Sequence, residues 1–280
     1  MSTTTTTTND TRTTDPDLIA LKDRQQRTWA AGDYSAVGAT LQIMGEELCE
    51  TAELRPGWRV LDVATGNGGT ALAAARRGCE VTGIDYVPEL LVQARRRAAA
   101  ERFPITFDDG DAEALPYADA AFDAVTSTLG VMFTSDHQRA ADELLRVCRP
   151  GGIVALANWA PDGFIGQVFR TIGAHVPPPP AATSPALWGT EAYLATLFGD
   201  GISHLRTQTR TFTFRYRSAD HFLEFMRTNY GPIVKAFETL PDDGRDALAA
   251  DLRGLMESSN AAIETLAVPS TYLEAIAVRA

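Results

Sequence analysis

The sequence predicts a doubly wound α/β fold: one parallel sheet with helices on both faces. Three observations predict it. Short apolar runs near residues 58–63, 80–85, 105–108, 123–126 and 153–158 alternate with longer helical stretches, and alternating strands and helices build a parallel sheet. The first run ends in Asp62 and passes through Ala64-Thr65-Gly66-Asn67-Gly68-Gly69 into an alanine-rich helix over 70–77, which reads as buried strand, tight turn and helix N-terminus. Finally, 280 residues at 45% hydrophobic and 22% charged are an ordinary globular composition, long enough for one large α/β domain or one domain with a lid.

Four stretches follow in order. Residues 1–15 read as a disordered tail: nine threonines lie between Met1 and Thr14, with no apolar core and none of the layout of a secretory signal. Residues 16–54 form an N-terminal helical lid. There Leu41, Met44 and Leu48 recur at helical spacing, and Ala31-Gly32-Asp33-Tyr34 breaks the helix. Residues 55–159 hold the strand–helix alternation, with Pro88 at a helix start and Gly78 just past a helix end, their favoured places. Residues 160–280 supply cap helices and the remaining strands. Four prolines, Pro177 to Pro180, interrupt the chain; Phe212, Phe214 and Tyr216 alternate in a strand over 207–217; helices run through 219–265; a last strand covers 272–278. The late helical blocks are too long for simple connections and are expected to cap the open edge of the sheet.

Charge and cysteine usage narrow the function. With 25 basic and 36 acidic residues the formal balance is −11, which argues against a nucleic-acid surface. No stretch reaches the ~18 apolar residues that span a bilayer, so a soluble cytoplasmic protein, monomer or homodimer, is expected. Cys49, Cys79 and Cys148 form no CxxC pair and read as buried small hydrophobes. Arg76-Arg77 and Arg95–Arg97 read as solvated helix faces.

In doubly wound sheets ligands bind at the carboxyl ends of the strands. Four segments should meet there: the loop from Ala64 to Gly69; Asp85, closing the second strand; Gly110-Asp111-Ala112-Glu113 after the third; and Ser127-Thr128-Leu129-Gly130 after the fourth. A glycine loop lets a ligand approach the main chain, and the helix N-terminus favours an anionic group on it. Asp85 can accept from ribose hydroxyls, and Asp111 from an exocyclic adenine amine. Each piece alone also fits an ordinary turn or cap, and Gly66-x-Gly68-x-x-Ala71 fits a dinucleotide fingerprint. Together, at these intervals, they define a nucleotide-like cofactor site.

The set Asp62-Val-Ala-Thr-Gly66-Asn-Gly68, Gly83-Ile-Asp85, Gly110-Asp111-Ala-Glu-Ala-Leu-Pro116, Phe122-Asp123-Ala-Val and Arg146-Val-Cys-Arg-Pro150-Gly151-Gly152 resembles the successive motifs of class I S-adenosylmethionine-dependent methyltransferases. The resemblance is to the ubiquinone/menaquinone biosynthesis (UbiE-like) branch and its bacterial small-molecule relatives, many from specialised metabolism. It covers about residues 60–159. Trp188-Gly-Thr-Glu191 and Tyr272-Leu-Glu274 also resemble bacterial members. Ala64 departs from the pattern, standing where many members carry glycine. The resemblance implies a Rossmann-like seven-stranded methyltransferase fold, S-adenosylmethionine as cofactor and a small-molecule methyl acceptor. It places Asp62, Ala64, Gly66 and Gly68 at the methionine end, Asp85 at the ribose, Tyr86 against the adenine, Asp111 and Ala112 at the adenine edge and Thr128 near the sulfonium. Trp29 and Tyr34 are expected in a lid over the cofactor or acceptor.

Methyl transfer from a sulfonium is a displacement with a neutral leaving group, so it needs alignment and exclusion of water rather than a metal. A base is required only where the acceptor must lose a proton. Candidates are His137, at a helix start after the fourth strand, and His221 and Tyr230, which flank a cap helix with Phe225. Met132, Phe133, Trp159, Phe164, Trp188 and Phe225 are candidate walls of an acceptor pocket. The expected acceptor is flat and partly apolar, with C-methylation of an electron-rich ring favoured; O- or N-methylation, or a cyclase retaining the cofactor, are the alternatives.

Overall fold

The computed structural model describes residues 15–280; the tail over 1–15 lies outside the described residues except for Asp15. The chain opens with α1 (Pro16–Trp29), α2 (Tyr34–Thr40) and α3 (Gln42–Thr51). Asp15 caps α1 by accepting from Asp17 N at 2.9 Å, with Pro16 at the first position. The alternation follows: β1 (Arg59–Val63), α4 (Gly69–Arg76), β2 (Glu80–Asp85), α5 (Pro88–Glu101), β3 (Thr106–Asp109), β4 (Phe122–Thr128), α6 (His137–Val147) and β5 (Cys148–Trp159). Then come α7 (Phe164–His175), α8 (Glu191–Phe198), β6 (Ile202–Tyr216), α9 (Ala219–Asn229), α10 (Gly231–Thr239), α11 (Asp242–Ser258) and β7 (Leu266–Arg279).

The seven strands form one sheet in the order β3-β2-β1-β4-β5-β7-β6. The first five are parallel, and β7 runs antiparallel between β5 and β6. The central strands are apolar along their length because both faces are covered. Val60, Leu61 and Val63 of β1, Val125 of β4 and Leu156 of β5 are fully buried. The order reverses between β1 and β4, which both begin their outward runs there, and opens a crevice at their carboxyl ends.

Several boundaries differ from the sequence reading, each for a local reason. β5 begins at Cys148 rather than 153, because the Arg149-Pro150-Gly151-Gly152 segment bulges within the strand, with a register shift opposite Phe122 and Ala124. The terminal hairpin is far longer than its aromatic alternation suggested: β6 pairs with β7 from Ile202 to Tyr216. Pro269 is tolerated because β7 contacts β5 only from Tyr272 onward, so that stretch of β7 has a free edge. The late helices end at Ser258, not 265, and Asn260 turns the chain by accepting from Ala262 N and Ala267 N.

The N-terminal helices and the α9–α10 corner meet backbone to backbone. A Cβ on Gly231 would lie 2.0 Å from Thr28 O, and one on Gly32 2.8 Å from Asn229 O. Only glycine permits that approach.

Candidate cofactor and acceptor site

Asp62, the last acid before the glycine loop, is the knot of the site. Its Oδ2 accepts from Thr65 Oγ1 at 2.6 Å and Ala71 N at 3.1 Å, and its Oδ1 accepts from Thr126 Oγ1 at 2.9 Å. One carboxylate thus ties β1, the loop, α4 and β4. Asp85 closes β2 and reaches back to the same loop: Oδ2 accepts from Gly66 N at 2.8 Å and Oδ1 from Val87 N at 2.9 Å. Burial pushes each carboxyl up to about 6. Ala64 adopts a left-handed φ of 52°, a strained geometry for a side chain. Its methyl occupies space that a Cβ on Gly130 would enter at 2.6 Å. Arg97 does not lie on a solvated face. Its guanidinium donates to Asn67 O at 2.9 Å and Gln42 Oε1 at 3.1 Å, bracing the loop from α5.

Above the carboxyl ends lies a cavity of about 1020 Å³, partly open to solvent. Asp62, Ala64, Gly66, Asp85, Tyr86, Asp111, Ala112, Thr128, Trp29 and Tyr34 all line it. Gly68 does not; it faces down, where a Cβ would meet Ala94 at 3.1 Å and Phe107 at 3.3 Å. Thr128 accepts from Thr70 Oγ1 at 2.8 Å.

Helix α1 roofs this cavity with Lys22, Gln25 and Trp29, of which the sequence reading found only Trp29. Lys22 Nζ lies 2.5 Å from Asp111 Oδ2 and 2.6 Å from Glu113 Oε2. Gln26 Nε2 donates to Tyr86 O at 2.5 Å, and Ser135 Oγ to Gln25 Oε1 at 2.7 Å. The usable signal was positional: residues 22, 25 and 29 share one helix face. Four carboxylates (Asp62, Asp85, Asp111, Glu113) and one ammonium (Lys22) line the cavity, an excess of negative charge that suits a cationic ligand.

A second, smaller and mostly apolar cavity, also partly open to solvent, adjoins the first. Trp29, Tyr34, Leu41, Leu129 and Phe133 border both. Val37, Trp159, Ile165, Phe214, Met226 and Tyr230 belong to the smaller one alone. Of the acceptor-wall candidates, then, Phe133 and Trp159 reach a cavity and Met132, Phe164, Trp188 and Phe225 do not. Met132, Phe164 and Trp188 are core side chains. Phe164 stacks on Phe222, and Phe225 packs against Tyr216.

The catalytic candidates separate in the same way. His137 is buried at the start of α6, with Nδ1 2.9 Å from the Tyr193 hydroxyl and its ring against Trp188. It lines neither cavity, and burial holds its imidazole down at about 4. His221 sits against Tyr216 and accepts from Arg217 N, also away from both cavities. Tyr230 alone reaches one.

Residues 61–156 match the family described as a methyltransferase domain. An uncharacterised protein of Mycobacterium tuberculosis is 42% identical over 233 residues, covering 82% of this chain and 84% of its own length. The demethylmenaquinone methyltransferase of Deinococcus radiodurans is 41% identical over 140 residues, 49% of this chain and 58% of that protein. Among solved structures, the YcgJ protein of Bacillus subtilis superposes with a TM-score of 0.57 at 22% identity, covering 86% of this chain and 98% of that one. The chain belongs to the class I S-adenosylmethionine-dependent methyltransferases. Within that class it is an enzyme of the UbiE-like kind, and S-adenosylmethionine is its cofactor.

Proposed function

We propose that this enzyme methylates a small, flat, partly apolar metabolite, probing the smaller cavity with the acceptor while the larger one holds the cofactor. One observation carries this reading: two adjoining cavities, one lined by four carboxylates and the other by no charged side chain, share Trp29, Tyr34, Leu41, Leu129 and Phe133. The chamber that carries the carboxylates suits an adenosyl sulfonium, and the uncharged one suits a ring. When bound, S-adenosylmethionine supplies an electrophilic methyl group on a positively charged sulfur.

The chain's own residues divide the work. Gly66, Gly68 and Ala64 set the loop at the methionine end, with Asp62 holding its shape. Asp85 meets the ribose, Tyr86 and Ala112 the adenine, Asp111 its amine edge, and Thr128 the neighbourhood of the sulfur. Residues 16–54 act as the lid, 55–159 as the cofactor-binding core, and 160–280 as cap and remaining strands. Trp159, Phe133 and their neighbours exclude water from the acceptor. Carbon of an electron-rich ring is favoured over oxygen or nitrogen, supported by partial likeness to a relative named for demethylmenaquinone. A place in specialised metabolism fits the same reading.

The test is to incubate the protein with methyl-labelled cofactor and a panel of phenols, indoles and quinols, following products by mass. S-adenosylhomocysteine formed in step with a C-methylated product is the expected result. Label on oxygen or nitrogen would replace the C-methylation assignment. An isomerised substrate without S-adenosylhomocysteine would replace methyl transfer with a cyclase reaction.

A further inference from the structure

Strand β6 ends the sheet and is paired on one side only, along 15 residues from Ile202 to Tyr216. Its outer side can be assigned residue by residue. In an antiparallel pair, residues alternate between turning both backbone groups to the partner strand and turning both away. The register between β6 and β7 is unbroken from His204 to Tyr216. On β7, Thr271 O accepts from Ala160 N, Ala267 O accepts from Ala261 N, and Ala267 N donates to Asn260, so none of these groups is spent on β6. Pro269, between them, has no N–H to give. The residues opposite them on β6, Thr211, Thr213 and Arg215, therefore turn their own N–H and C=O outwards, and by the same alternation so do Leu205, Thr207 and Thr209. Among the described residues one of these groups has a partner: Thr213 O accepts from the Arg215 guanidinium at 3.0 Å.

Such a row of free groups is a template for another strand, and proteins commonly guard it with outward charges. β6 carries Arg206, Arg210 and Arg215, but the first two are drawn away from the edge. Arg206 donates to Thr51 O and Arg210 to Thr51 Oγ1, each at 2.9 Å, and Arg210 Nε lies 3.0 Å from Glu274 Oε1. Both guanidiniums thus lie across the sheet face, against α3 and β7. The exposed middle of the edge is left to Gln208, Thr209 and Thr211, which are uncharged, and threonine suits a strand.

We infer that two copies of this chain join β6 to β6, antiparallel, about a two-fold axis at Thr209, so that their sheets become one. The sequence selects this register. Aligning the whole strand end to end with its own copy sets Thr209 opposite Thr209, Thr207 opposite Thr211 and Leu205 opposite Thr213, and outward groups then meet outward groups along the edge. The same alignment sets Arg206 opposite Phe212, Arg210 opposite Gln208 and Arg215 opposite Ser203, so no cation faces a cation. A slide of one residue sets outward groups against inward ones. A slide of two sets Arg210 opposite Arg206 or opposite itself, and like charges directly opposite are destabilising. Threonine pairs across the axis add cross-strand contacts. On pairing, Arg215 releases Thr213 O, which accepts from Leu205 N of the second copy. This match of the strand to itself is what assigns the edge to a second copy rather than to an unrelated strand.

Sedimentation of the full chain at tens of micromolar tests this, beside Thr209→Lys and Thr209→Glu. The wild type should sediment as a dimer. Each variant alone should associate about fivefold more weakly, because it sets like charges across the axis. An equimolar mixture of the two should recover the dimer, because this register sets residue 209 against itself. Thr209 is exposed and lines neither cavity, so binding of S-adenosylhomocysteine should be unchanged in both variants. Hydrogen exchange on the wild type gives a reading that needs no variant: the amides of Thr207, Thr209 and Thr211 should be protected in the dimer and exchange freely once dilution yields monomer. Should the variants fail to fold, that reading decides alone. A wild type that stays monomeric, variants that dimerise as the wild type does, or a mixture that stays monomeric overturns the inference. So do edge amides protected at every dilution, which would assign the edge to another segment of the same chain. Methyl transfer stands under each of these outcomes.

Discussion

The two cavities are built by opposite rules. The larger one is made of loops at strand ends, and its carboxylates are held by named hydrogen bonds from the glycine loop, α4, β4 and α1. The smaller one is made mostly of helix side chains and strand aromatics, and its shape rests on packing. A hydrogen-bonded frame fixes positions to within tenths of an ångström, whereas an apolar wall is set by volume. Substitutions should therefore act selectively on one cavity or the other.

The sharpest test removes Asp85. Asp85→Ala strips Gly66 N and Val87 N of their acceptor, and cofactor affinity by isothermal titration should fall about 100-fold, roughly 3 kcal/mol. Naphthalene binding in the smaller cavity should change little. Equal loss at both cavities would merge what is here separated.

His137 supplies a test lying outside both. Its folded value of about 4 lies below the ordinary 6.5. The unfolded chain therefore binds the extra proton first, and the stability due to a neutral buried imidazole is complete above pH 6.5 and lost as pH falls towards 4. Asp62 and Asp85, raised to about 6, have the opposite sign over pH 4–6, so the difference between wild type and His137→Phe isolates the histidine. Chemical denaturation at pH 7 and pH 5 should show wild type losing on the order of 2 kcal/mol more than the variant. Turnover should stay within about twofold of wild type; a hundredfold drop would put His137 back in the chemistry.

Ile165→Phe should fill part of the smaller cavity. The acceptor KM is expected to rise about tenfold with cofactor affinity intact, at a stability cost of about 1–3 kcal/mol for overpacking. The mildest change is Lys22→Met. It frees α1 from Asp111 and Glu113, and S-adenosylhomocysteine release by stopped-flow should quicken several-fold, with about 1 kcal/mol lost from the fold. A slower release would show that Lys22 competes with the adenine rather than latching the roof.

The two cavities were also unequally legible. A phosphate-style glycine loop, an acid closing a strand and an Asx-type turn each carry a local signature, because backbone geometry demands particular residues there. That is why Asp62, Gly66, Asp85 and Asp111 could be placed from sequence, and why β2 ends at Asp85 as read. The acceptor walls have no such signature. Phe133 and Trp159 line the smaller cavity while Trp188 and Phe164 are core, and all four are large aromatics in similar local contexts. Their fate was decided by which helix came to lie over β5 and β7. Lys22 was missed because a single cation on a polar helix acquires meaning only when Asp111, 89 residues away in the chain, and its neighbour Glu113 arrive beside it.

The glycine contacts that weld Thr28 and Ala31 to Gly231, and Gly32 to Asn229, give the enzyme a shared hinge post. Trp29 and Tyr230 stand on either side of it, 5.7 Å apart. Trp29 and Tyr230 are thus held to one backbone junction, so a displacement of either ring is transmitted to the other. Because Trp29 borders both cavities and Tyr230 the smaller one, that junction ties the walls of the two chambers together.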